Sequence, residues 1–326
     1  MYIYTTMVIK SEQLVCVILL FLSLMGSSMA ARAVPHDDVL EWVQKDSRRF
    51  LRANIRVSDL DRTIKFYTQL FGLKVLSRKD FPEEKYSYAI VGFGPEESHF
   101  VIGLTCHHNT TDKLDIGTAF SHFGIATQDI YNTVEKVRAS GGVITREPGP
   151  LVEGGDTVYA FMNDPDGYSF ELLQRPPTPE PLSHICLNVI DLNRSIEFYN
   201  KSLGMNLLLK FDVPQEQYTV GMVGYGSNLT QTVVIELKYN YNVTAYRRGN
   251  GYAQVAIGTD DVYKSAAAAK LVTKEVGGKI IRPPGPIPKI HTKITAFLDT
   301  DGFETVLVDN EDYLKRIEER AVKQNP

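Results

Sequence analysis

The spacing of hydrophobic residues along 50–174 switches between two periods, and the switches divide this stretch into two similar blocks. FLRANIRV (50–57) reads as a strand. It runs into Asp59, whose carboxylate suits the free N–H groups of a helix N-terminus. Leu60, Ile64, Tyr67, Leu70 and Phe71 then recur at helical spacing, and Gly72 closes the run. Three strand-like runs follow: LKVLSRKD, SYAIVGFG and HFVIGLTC. The order then returns, with HFGIAT (122–127) as strand, IYNTVEKVRASGG as helix, and VITRE, TVYAFMND and YSFELLQ as strands. Each block is a β-α-β-β-β module.

The remainder repeats this pair. DLDRTIKFYTQLFGLKVL (59–76) matches DLNRSIEFYNKSLGMNLL (191–208), GGVITREPGP (141–150) matches GGKIIRPPGP (277–286), and NDPDGYSFELL (163–173) matches DTDGFETVLV (299–308). The sequence therefore predicts an α+β protein of four βαβββ modules in two homologous domains, 45–175 and 182–312. QRPPTPEP (174–181) joins them, and its four prolines make a stiff connection. The tail 313–326 reads as a short charged helix that frays.

Composition narrows the picture. The chain has 326 residues, 43% of them hydrophobic and 23% charged, as in ordinary globular proteins. A net charge of −4 gives no reason to expect a nucleic-acid partner. Of three cysteines, Cys16 lies near the N-terminus, so no disulfide framework is expected, and Cys186 reads as a small core residue. The apolar run LVCVILLFLSLM (14–25) is too short to span a bilayer comfortably. With Lys10 before it and small residues up to Ala30, it reads as a secretory signal peptide cleaved after Ala30. Sequons at Asn109, Asn193, Asn200, Asn228 and Asn242 agree with a secretory or extracellular location, plastid or cytoplasm being the alternatives. No membrane contact is expected of the mature chain.

Candidate chemistry lies at matching places in the modules. An early and a late strand position, about 50 residues apart, read Arg52/Gly103, His122/Glu171, His184/Glu236 and Gln254/Val306. A single module leaves one open face, and two facing modules enclose a cavity lined by their first and last strands. His122, Glu171, His184 and Glu236 converge only if module two faces module three. Two imidazoles and two carboxylates suit a divalent metal with positions left for substrate. Carboxylates in strands as apolar as SFELL and VVIEL are costly unless paired or metal-bound. The same geometry pairs module one with module four, where Arg52, Gly103, Gln254 and Val306 read as the decayed remains of a second site that holds no metal.

The stretches DLDRTIKFYTQLFGLKVL, DFPEEKYSYAIVGFGPEESHFVI, FSHFGIA, REPGP, DPDGYSFELLQR, PTPEPL and AIGTDDVYKS closely resemble the two-domain plant type of glyoxalase I (lactoylglutathione lyase), of the vicinal oxygen chelate fold. The resemblance covers nearly the whole mature chain. It implies one divalent metal, nickel favoured with zinc as the alternative, held by His184, Glu236, His122 and Glu171 in one active cavity. The implied substrate is the hemithioacetal of methylglyoxal and glutathione, isomerised to S-lactoylglutathione by proton transfer through an enediolate. Glu171 is the first choice for the base, and Glu236 serves the opposite face. The chain departs from the family where glutathione binds: Asn188 stands in place of an Arg four residues after His184, and Glu153 in place of a Lys before Gly154-Gly155, while Asn240 is kept. Asn carries no charge for a carboxylate, and Glu153 repels one. A related isomerase or epimerase acting on a non-glutathione substrate, and a metal-holding protein without catalysis, are the alternatives. A ring-cleaving dioxygenase fits poorly, because such sites use two His and one Glu on iron. The two halves supply in one chain the module pairing that shorter relatives obtain by dimerising, so a monomer is expected.

Overall fold

The structure, a computed structural model, describes residues 36–324 except 151–156 and 289. The expected signal segment 1–30 and Glu153 lie outside the described residues. A helix α1 (His36–Lys45) precedes the first module, which comprises β1 (Phe50–Arg56), α2 (Leu60–Phe71), β2 (Lys74–Phe81), β3 (Tyr86–Gly92) and β4 (Val101–His107). Module two comprises β5 (Phe120–Thr127), α3 (Ile130–Ala139), β6 (Val143–Pro150), β7 (Val158–Asn163) and β8 (Ser169–Gln174). Module three comprises β9 (Leu182–Asn188), α4 (Leu192–Leu203), β10 (Asn206–Val213), β11 (Tyr218–Gly224) and β12 (Val234–Asn240). Module four comprises β13 (Tyr252–Thr259), α5 (Val262–Glu275), β14 (Lys279–Pro286), β15 (Lys293–Leu298) and β16 (Glu304–Asp309), and α6 (Asn310–Gln324) follows it.

One chemical device starts all four module helices. Asp59, Asp129, Asp191 and Asp261 sit in extended backbone and accept hydrogen bonds from N–H groups of the first turn. Gly72 (φ 76°) and Gly204 (φ 68°) end α2 and α4 in the left-handed conformation that glycine adopts without strain.

Modules pair as the ligand pattern requires. One eight-stranded sheet runs β10-β11-β12-β9-β5-β8-β7-β6 and joins modules three and two; the other runs β14-β15-β16-β13-β1-β4-β3-β2 and joins four and one. In each module the first and last strands lie side by side and parallel, so the candidate positions fall at the centre of each sheet. A shared core, with Phe66, Phe123, Phe198 and Phe297 from the four modules, lies between them. Phe120 stacks on Tyr252 with centroids 4.8 Å apart, and Tyr168 Oη donates to the Arg56 carbonyl at 2.6 Å. The two sheets are thus fixed to each other.

Three features differ from the sequence reading. Strand β6 continues through Pro148 to Pro150, and its counterpart β14 also carries prolines; both are edge strands, where a missing N–H costs no ladder bond. Helix α1 was not expected; from Val39 onward it packs Val39 and Val43 with Ala268. The tail is not a frayed end, for α6 starts at Asn310 and buries Tyr313 and Ile317 against Leu51, Val306 and Val308. No helix among the described residues is long and apolar enough to cross a membrane.

Candidate metal centre

The antiparallel register of β5 on β9 sets His122 opposite Cys186 and Gly124 opposite His184. Parallel pairing then sets Glu171 beside Gly124 and Glu236 beside Cys186. All four side chains emerge on one face, and one ligand atom from each lies within 4.8 Å of the other three. His184 Nε2 is 3.1 Å from Glu171 Oε2, 3.6 Å from Glu236 Oε2 and 3.2 Å from His122 Nε2, and His122 Nε2 is 3.6 Å from Glu171 Oε2. Two ligands each about 2.1 Å from a shared divalent ion stand about 3 Å apart when they subtend a right angle, so these separations fit one.

Neighbouring groups aim the donors. The Ser183 hydroxyl donates to the Gly124 carbonyl at 3.2 Å, which leaves its oxygen to accept from His184 Nδ1–H at 3.1 Å. Ser121 Oγ lies 3.0 Å from His122 Nδ1 in the same manner. With Nδ1 carrying the proton, each Nε2 lone pair points at the carboxylates. Facing one another, these groups need positive charge between them, supplied by protons on the imidazole Nε2 atoms or, in their place, by a divalent metal. Burial alone would raise the Glu171 carboxyl, but hydrogen bonds and charge from His122 and His184 hold it well below the usual range. Burial would lower the His184 imidazole; Glu171 and Glu236 outweigh it and pull it up. Cys186 is fully buried and donates to Glu236 Oε1 at 3.4 Å, and burial with the nearby Glu236 charge holds its thiol well above the usual value.

Gly124 decides whether the site can close. A Cβ there would lie 2.0 Å from His184 Cε1, so only glycine lets the ring reach its place. Sequence reasoning missed Gly124 and the two serines. Ser-His precedes both ligands, but it also occurs at Ser98-His99, away from the centre. Lys238 was missed as well. It follows Glu236 by two residues on β12, hence on the same face, and its ammonium lies 3.9 Å from the Tyr218 ring centroid.

Asn188, beside Lys238 in the β9–β12 register, is bonded to Asn240. Asn240 Nδ2 donates to Asn188 Oδ1 at 3.0 Å and to Tyr246 Oη at 2.8 Å, while Asn188 Nδ2 donates to the Thr118 carbonyl at 2.9 Å. Asn188 therefore spends its carboxamide on the protein.

In the other sheet, Arg52, Gln254 and Val306 line a second cavity of about 450 Å³. Gly103 holds there the place that Glu236 holds in the first. A Cβ on it would lie 2.1 Å from Asn54 Oδ1 and 2.4 Å from Tyr88 Oη, which are joined by a 3.0 Å hydrogen bond. Asn54 and Tyr88 thus fill the space that a side chain at position 103 would need.

Comparison with known proteins gives a consistent picture. Residues 49–172 and 182–307 each match the glyoxalase/bleomycin resistance protein/dioxygenase superfamily. The chain is 58% identical to a lactoylglutathione lyase of Arabidopsis thaliana, over 86% of this chain and 98% of that one. It is also 58% identical to a lactoylglutathione lyase of Oryza sativa subsp. japonica, over 90% of this chain and all of the other. The crystal structure of glyoxalase I from Zea mays superposes with a TM-score of 0.82 at 58% identity, covering 85% of this chain and 98% of that one.

Proposed function

The chain belongs to the glyoxalase/bleomycin resistance protein/dioxygenase superfamily, and on that premise we propose that it is a lactoylglutathione lyase with one active cavity, between modules two and three. The convergence of His122, Glu171, His184 and Glu236 carries this reading. These residues would hold a divalent ion, nickel in preference to zinc by the family likeness, and that ion supplies Lewis-acid stabilisation of developing oxygen charge. The reaction is an isomerisation, so every atom of the hemithioacetal remains in the product. Glu171 takes the proton from the carbon bearing sulfur and returns it to the neighbouring carbon, while the hydroxyl proton passes to the adjacent oxygen. Glu171 is preferred over Glu236 because its side chain is 16% exposed against 9%, and so is nearer to an entering substrate. Glu236, with Cys186 donating to it, serves as the more enclosed ligand.

Substrate recognition shifts within the cavity. With Asn188 engaged by Thr118 and Asn240, Lys238 supplies the charge for a glutathione carboxylate. The test is formation of S-lactoylglutathione from methylglyoxal and glutathione. Glu171→Gln is expected to lower kcat by at least about a hundredfold, as removing a positioned base does. Lys238→Met is expected to raise KM roughly tenfold with little change in kcat, as loss of one charged contact does. Full activity in Glu171→Gln would assign the base elsewhere.

A further inference from the structure

The second cavity is not idle space. At about 450 Å³ it falls in the range of small-molecule sites, yet it holds none of the carboxylates of the first. Its described lining carries Arg52, Lys79, Arg316 and Arg320 and no aspartate or glutamate. Arg52, at the place of a metal ligand in the first cavity, keeps a buried Nε with no hydrogen-bond partner. Arg320 is neutralised from behind by Glu96 at 2.8 Å, whereas no described carboxylate lies within ion-pair distance of Arg52 or Arg316. Burial and the neighbouring Arg52 and Arg320 charges pull the Arg316 guanidinium down, against a smaller opposing pull from Glu96, as crowded cations do. Facing them are Phe81, Tyr86, Ile90, Ile294 and Val306, an aromatic and aliphatic wall. Helix α6 contributes Tyr313, Arg316 and Arg320, so the C-terminal segment helps to build this cavity.

We propose that the cavity between modules one and four is a binding site for an amphipathic organic anion, an apolar or aromatic body whose carboxylate is received by Arg52 and Arg316. Guanidinium groups suit this task because their planar donors match a carboxylate in pairs and stay charged when enclosed. The cavity without carboxylate donors is thereby a site of opposite electrostatic sign to the first. The proposal does not depend on which substrate the first cavity turns over.

The metal-loaded chain from Ala31 is titrated with 8-anilinonaphthalene-1-sulfonate, an aromatic body with one anionic group, and followed by fluorescence. One saturable site per chain is expected, displaced by octanoate but not by neutral octanamide. Arg52→Met and Arg316→Leu, both checked for cooperative melting, are each expected to weaken it about tenfold or more while lyase turnover stays unchanged. Should Arg52→Met fail to fold, Arg316→Leu on α6 decides alone. Equal binding in the variants, displacement by S-hexylglutathione, or displacement by inorganic phosphate or octanamide as readily as by octanoate would each overturn the proposal.

Discussion

At the scale of single residues, the centre depends on an absence. Gly124 leaves the room that the His184 ring occupies. Gly124→Ala is therefore expected to push His184 aside and to lower metal affinity by roughly ten- to a hundredfold, as loss of ligand positioning does, with the fold intact. Metal titration of the stripped variant checks this, and unchanged affinity would show that the ring reaches its place by another route. His122, Glu171, His184 and Glu236 were legible in the sequence because buried charge needs a partner and the repeat gave each an equivalent to compare with. Gly124, Ser121, Ser183 and Lys238 were not legible, for their roles depend on which strand faces which. Asn188 could be located from the sequence, but its hydrogen bond to the Thr118 carbonyl is long-range and invisible there.

At the scale of elements, identical caps sit in unequal surroundings. A Cβ on Gly72 would meet nothing within 4 Å, whereas one on Gly204 would lie 2.7 Å from the Val43 carbonyl oxygen. Gly72→Ala is expected to cost about 1 kcal/mol, the strain of a left-handed alanine. Gly204→Ala is expected to cost more, because α1 must also move. Denaturant unfolding of the two variants measures the difference, and equal losses would argue against the close packing of α1 on α4. The module helices and most strands were legible from period and caps. Edge strands β6 and β14 were partly hidden by their prolines. Helices α1 and α6 were missed or undervalued because their buried faces, Val39 with Val43 and Tyr313 with Ile317, are narrow stripes among many charges.

At the scale of the whole molecule, pseudo-symmetry places equivalent parts in both halves, and some kept one task while others diverged. Tyr67 Oη donates to Asp164 at 2.8 Å, and Tyr199 Oη donates to Asp299 at 2.7 Å. Burial pushes both carboxyls up to about 6 despite these bonds. A folded value above the unfolded one means stability that is full at low pH and lost as pH rises through about 6. Asp164→Asn with Asp299→Asn is therefore expected to flatten the fall in stability between about pH 4 and 7; an unaltered slope would mean that other groups carry it. The four candidate ligand positions differ between the halves, with His122, Glu171, His184 and Glu236 in one sheet and Arg52, Gly103, Gln254 and Val306 in the other. The central claim is one metal and one catalytic cavity per chain, tested most directly on the chain from Ala31, stripped and reloaded with nickel, by counting bound ions and measuring S-lactoylglutathione formation. One ion per chain and nickel-dependent turnover are expected, both abolished by Glu236→Gln and both retained in Arg52→Met. Two ions per chain, or one tightly held ion with no turnover of the hemithioacetal, would contradict the account.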